Sequence, residues 1–154
     1  MRRTLCLVFV VVLGVAASVS AATPRSEIMG ISLGMSRPDA RARLQTLGTL
    51  ERETRKRQEV WAIKDERVSH VLVGYDREMR VRYVTAIART GGPRIRYEEV
   101  AELKSAERVQ NQGNYKLTWQ VAARSGNYLV IAHGHDPQFL DTYSIKKVER
   151  KEEE

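Results

Sequence analysis

The chain has 154 residues, with 26 Lys or Arg against 19 Asp or Glu, a formal net charge of +7 and a single cysteine. That length is enough for one ordinary domain, or two very small ones sharing a core. The one thiol, Cys6, excludes an intramolecular disulfide framework.

Arg2 and Arg3 precede an apolar run from Leu5 to Ala17, and the small-residue segment SVSAAT follows. These are the n-region, h-region and cleavage site of a signal peptide, cut after Ala21 or, as the near alternative, after Ala22. The run is about 13 residues, shorter than the roughly 20 that cross a bilayer. Residues 1–21 therefore read as a signal peptide, 22–148 as one domain and 149–154 (ERKEEE) as a charged, disordered tail. The protein is expected to be exported, periplasmic or secreted, with no transmembrane span after signal removal. Cys6 lies upstream of the cleavage site, so a lipoprotein is not expected. A basic exported protein meets exported or envelope proteins and anionic envelope surfaces. Nucleic acid is not an expected partner outside the cytoplasm.

The segment GISLGMSRPDARARLQTLG (30–48) predicts a short helix. Ser36 can accept the Asp39 N–H while Asp39 reaches back, Pro38 suits the first turn, and Gly48 is the expected left-handed stop. Ala40, Leu44 and Leu47 form a narrow apolar stripe. A free helix of about 11 residues is marginal in water, so this one must lie against something. The run ERETRKRQE (51–59) reads as a solvated connector. Strand chemistry follows at 58–64, 69–75 and 80–88, joined by short polar connectors that favour antiparallel hairpins. TGGPRIR (90–96) breaks the pattern, and a second helix is expected over 97–109 from Val100, Leu103 and Ala106 at three-residue spacing. Three more strands are expected at 114–123, 127–135 and 139–148. In the first of these Tyr115, Leu117, Trp119 and Val121 share one face and Lys116, Thr118 and Gln120 the other.

The two halves follow a common order. Trp61 is followed by VGYD (73–76) and then Tyr83, seven residues after Asp76; Trp119 is followed by HGHD (133–136) and then Tyr143, seven after Asp136. The expected architecture is α+β, with helices on one face of an antiparallel sheet of about six strands. It contains two possible helix-plus-three-strand pseudo-repeats at about 28–89 and 95–148.

His133 and His135 would point to one face of a strand, with Asp136 adjacent and His70 as a candidate third ligand, the donor types that suit zinc. A small-ligand or metal-binding protein, or a hydrolase using this cluster, is the alternative reading. Asp76 and Asp136 also suit the first position of a turn. No G-x-S-x-G elbow, phosphate loop or H-E-x-x-H occurs in the sequence. No cofactor is expected, and the leading expectation is a non-enzymatic interaction module.

The motif G-x-x-L-G-M-S-x-x-D-A-x-x-x-L-x-x-L-G (Gly30 to Gly48), followed through about Arg89 by a meander with an aromatic in its first strand, resembles two exported groups. One is the SmpA/OmlA family of small outer-membrane assembly lipoproteins. The other is the β-lactamase inhibitor protein family, tandem repeats of a helical segment packed on an antiparallel sheet. The resemblance implies a binding scaffold, with the sheet face away from the helices as the working surface. The aromatics that could anchor a partner there are Trp61, Tyr75, Tyr83, Trp119, Tyr128 and Tyr143.

Overall fold

The computed structural model describes residues 24–54, 57–124 and 126–148. The expected signal peptide and tail lie outside them. The chain starts with a small hairpin, β1 (Glu27–Ile28) and β2 (Ile31–Ser32), whose loop residues Met29 (φ 55°) and Gly30 (φ 80°) are both left-handed. The helix α1 (Arg37–Gln45) begins as the sequence predicts. Ser36 is extended and its Oγ accepts the Asp39 N–H at 3.3 Å, while the hydroxyl donates to Asp39 Oδ2 at 2.5 Å. Ala40 and Leu44 are its buried residues.

Four strands then run as a meander: β3 (Gly48–Thr54), β4 (Gln58–Ile63), β5 (Val68–Tyr75) and β6 (Val81–Ala88). After β7 (Ile95–Arg96) and two 3-10 turns come β8 (Glu107–Asn111), β9 (Asn114–Val121), β10 (Tyr128–Gly134), β11 (Phe139–Leu140) and β12 (Thr142–Lys147). Eight strands form one antiparallel sheet in the order β3-β4-β5-β6-β12-β10-β9-β8, so two four-stranded meanders meet along their last strands. The pairs β1–β2 and β7–β11 are separate small sheets.

One face of the large sheet carries the core. Val71, Val73, Val84, Ala86, Leu117, Trp119, Val130, Ala132 and Ile145 are buried there. The same cluster includes Ile28 and Ile31 of the small hairpin, Ala40 and Leu44 of α1, and Ile95, Tyr97, Val100 and Leu140. Among the described residues no further element packs on the other face.

This architecture corrects the α+β expectation. About 53% of the described residues are strand and about 12% helical, the sheet has eight strands rather than about six, and among the described residues no second α-helix repeats the packing of α1. The helix expected over 97–109 is replaced by single 3-10 turns at Tyr97–Glu99 and Leu103–Ser105, followed by β8. The physical reason is competition for the backbone. Tyr97 O accepts Val100 N at 3.0 Å, but Glu102 is extended and its carbonyl accepts the Trp119 indole N–H at 2.8 Å, so the first turn does not propagate. From Glu107 on, ladder bonds to β9 replace intrahelical ones. A narrow stripe at three-residue spacing does not outweigh those tertiary partners.

The basic run expected as a connector is instead largely strand, since β3 and β4 pair antiparallel, with a bulge between Leu50 and Arg52. Gly48 is not a left-handed stop but the first residue of β3. Its neighbour across the pair is so near that a Cβ there would lie 1.8 Å from Ala62 O.

A buried carboxylate clamps α1 to the sheet. The Glu59 side chain is 1% exposed and stands on the Trp61 side of β4. Its Oε1 accepts Arg37 Nε and Arg41 Nε, each at 2.7 Å, and its Oε2 accepts Trp61 Nε1 at 3.1 Å and the Tyr75 hydroxyl at 3.0 Å. Glu53 takes the outer nitrogens of the same two arginines. Burial opposes ionisation of Glu59, yet the bonds from Arg37 and Arg41, then Trp61 and Tyr75, hold its carboxyl below the ordinary glutamate value. The folded value lies below the unfolded one, so this contribution to stability is complete above about pH 5 and is lost as the pH falls through the depressed value. Urea unfolding between pH 6 and pH 3 is expected to show that loss, and a Glu59→Gln variant is expected to lack this component of the pH slope.

Candidate functional site: the open face of the sheet

Strand alternation sends every second side chain away from the core. Register assembles these side chains into rows across the sheet. The central row runs Leu72–Thr85–Ser144–Ile131–Thr118, and all five are half-buried. A second row runs His70–Ile87–Thr142–His133–Lys116. A third runs Gln58–Gly74–Tyr83–Lys146–Leu129–Gln120. The result is a belt of aliphatic and hydroxyl side chains bordered by basic and amide groups. At its middle, where the two meanders join, the hydroxyls of Thr85 and Ser144 are 2.8 Å apart and hydrogen-bonded.

Tyr83 is held rigidly on this face. Its ring lies over Gly74 of the neighbouring strand, where a Cβ would meet Tyr83 Cε1 at 2.0 Å. Its hydroxyl donates to Gln58 Oε1 at 2.9 Å, and the Arg82 guanidinium lies 5.7 Å from the ring centroid. Gly74→Ala is expected to lift the ring from its seat and to cost about 1–2 kcal/mol of stability, since a methyl cannot share that space. The displacement is read from the Tyr83 ring proton shifts, and unchanged shifts would contradict the seating.

The other five sequence-nominated aromatics turn inward. Trp61, Tyr75, Trp119, Tyr128 and Tyr143 are all buried in the core cluster, which removes them from direct contact with a partner. Tyr75 and Trp61 serve Glu59, Trp119 serves Glu102, and the Tyr143 hydroxyl accepts from Arg25 at 3.4 Å.

The histidines are not brought together. His70 is on β5 and His133 on β10, with β6 and β12 between them. His70 Nε2 pairs with Glu51 Oε2 at 3.3 Å. Burial, and then the charge of Lys116, lower the His133 pKa. His135 is 81% exposed and its Nδ1 lies 2.6 Å from Asp141 Oδ2. Asp136 caps its turn, with Oδ1 accepting Gln138 N at 2.8 Å and Phe139 N at 3.2 Å, and its Oδ2 pairs with Arg94 at 3.0 Å. Among the described residues no three His, Cys, Asp or Glu side chains gather as metal ligands do.

The sequence reading does not nominate Leu72, Thr85, Ile131, Ser144, Lys116 or Lys146 as surface residues, although the alternation in 114–121 already separates Lys116 and Thr118 from Trp119. The polar partners of an apolar row mark the outward face. Among the described residues no helix is long and apolar enough to cross a membrane. Compared with known proteins, the chain matches no family model, no curated protein and no solved structure.

Proposed function

We propose that the chain is an exported, non-enzymatic protein-interaction module of the cell envelope, which meets its partner with the open face of the eight-stranded sheet. The observation that carries this reading is the one-sided cover of the sheet among the described residues. α1, the small hairpin and the β7–β11 segment share the core with one face, while the opposite face presents half-buried Leu72, Tyr83, Ile87, Leu129 and Ile131. A sheet of eight strands at about 4.8 Å spacing is about 34 Å wide, breadth enough for the roughly 800 Å² per partner of a stable interface. Tyr83, immobilised over Gly74, loses little conformational freedom on binding. Export is supported by the charged, apolar and small-residue order of residues 2–21. The resemblance of 30–48 to the helix-opening motif of small envelope proteins points the same way.

The test is retention of a partner from envelope extract by the immobilised chain, compared with a Leu72→Asp/Ile131→Asp variant whose melting temperature matches the parent. A protein held by the parent and lost from the variant is expected. Identical retention by both, or retention of nothing together with stoichiometric binding of a small molecule, would overturn the reading.

A further inference from the structure

The open face is electrically lopsided. On β6, β12, β10 and β9 its positions are Tyr, Thr, Ile, Ser, Lys, Leu, His and Gln, with no carboxylate. Lys116 and Lys146 are exposed there, and neither shares an ion pair with a carboxylate among the described residues. Acidic groups lie at its borders, Glu107 on the edge strand β8 opposite Thr118, and Asp76 and Glu78 beside Lys147 at the end of β12. Across the sheet, by contrast, His70 is matched by Glu51.

The two lysines also have a defined separation. Lys116 shares a row with His133 and Lys146 one with Leu129, so they stand two strands and four residues apart with Ile131 between them. At about 4.8 Å per strand and 3.3 Å per residue, that is about 16 Å between their Cα atoms. An extended segment of about five residues covers the same distance.

We propose that this face takes an acidic, extended protein segment with an apolar side chain over Ile131 and carboxylates placed to meet Lys116 and Lys146. The inference rests on the reading of the open face as a protein-binding surface and names the chemistry of what it binds. The apolar contact supplies desolvated area and the lysines supply register, sign selectivity and encounter rate. Binding is therefore expected to weaken as ionic strength rises, because both lysines are exposed.

The experiment is selection of displayed random 12-residue peptides on the whole folded chain, run in parallel on Lys116→Glu/Lys146→Glu and on Ile131→Asp. The parent is expected to enrich peptides with acidic residues about four to six positions apart flanking an apolar one. Their affinity is expected to fall about tenfold in the double charge reversal. Enrichment without acidic bias, or equal affinity in the charge-reversed variant, overturns the inference, as does no enrichment at all. Apolar peptides lost only from Ile131→Asp would overturn it while leaving the interaction reading intact. Vesicles of phosphatidylglycerol and phosphatidylcholine form the counter-arm. Lysine-dependent binding to the anionic vesicles without peptide enrichment would overturn the inference in favour of a membrane surface.

Discussion

Glu59→Ala is expected to lower the unfolding free energy by about 3 kcal/mol, the scale of removing one partner from a buried ion pair. Two arginines lose their inner acceptor, and the Trp61 indole N–H and Tyr75 hydroxyl are left without one beside the core. Arg37 and Arg41 retain Glu53 and partial contact with water, which keeps the loss at the lower end of the range. Urea unfolding at pH 7 measures it, and the midpoint should fall without a change in slope. Glu59→Gln keeps the shape and one acceptor oxygen, so it is expected to lose less. A Glu59→Ala protein as stable as the parent would show that the network tethers α1 without adding net stability.

Trp119→Ala is expected to cost about 4 kcal/mol, the larger of the two effects. The side chain is 1% exposed on β9 of the second meander, and its removal leaves a cavity in the core beside Val130, its partner on β10, and Glu102. It also strands the Glu102 carbonyl, which Trp119 Nε1 reaches at 2.8 Å. Trp119→Phe separates the terms, since the ring is largely kept and the donor lost, and about 1–2 kcal/mol is expected for it. Thermal melts of the two variants measure the difference, and an equal loss in both would place the whole effect in the hydrogen bond.

The sequence carried α1 and the expected strands well because their signals are local. Ser36, Pro38 and Asp39 cap the helix by contacts within a few residues, and alternation in 114–121 follows from the pleat alone. The helix expected over 97–109 fails for a non-local reason, because Trp119 captures the Glu102 carbonyl from 17 residues away. The strand β3 is hidden in a charged run because it is an edge strand. Glu53 faces the arginines of α1 while Glu51 meets His70, so charge there accompanies strand pairing on an exposed edge.

The site was less legible than the fold. Large aromatics are good anchors wherever they are exposed, but their area is also what a core buries first, and five of the six nominated rings are buried. Tyr83 remains on the open face because Gly74 makes room for its ring.

By itself the sequence determined the capped helix, the alternating strands and the preference for antiparallel neighbours, since each depends on contacts a few residues apart. Only the tertiary structure decided that the two meanders join along β6 and β12, that the second helix gives way to turns and an edge strand, and which face of each strand is covered. Those outcomes are set by partners distant in sequence. A strand's alternation says that it has two faces, and only what packs against one of them leaves Leu72, Tyr83, Ile131, Lys116 and Lys146 on the other.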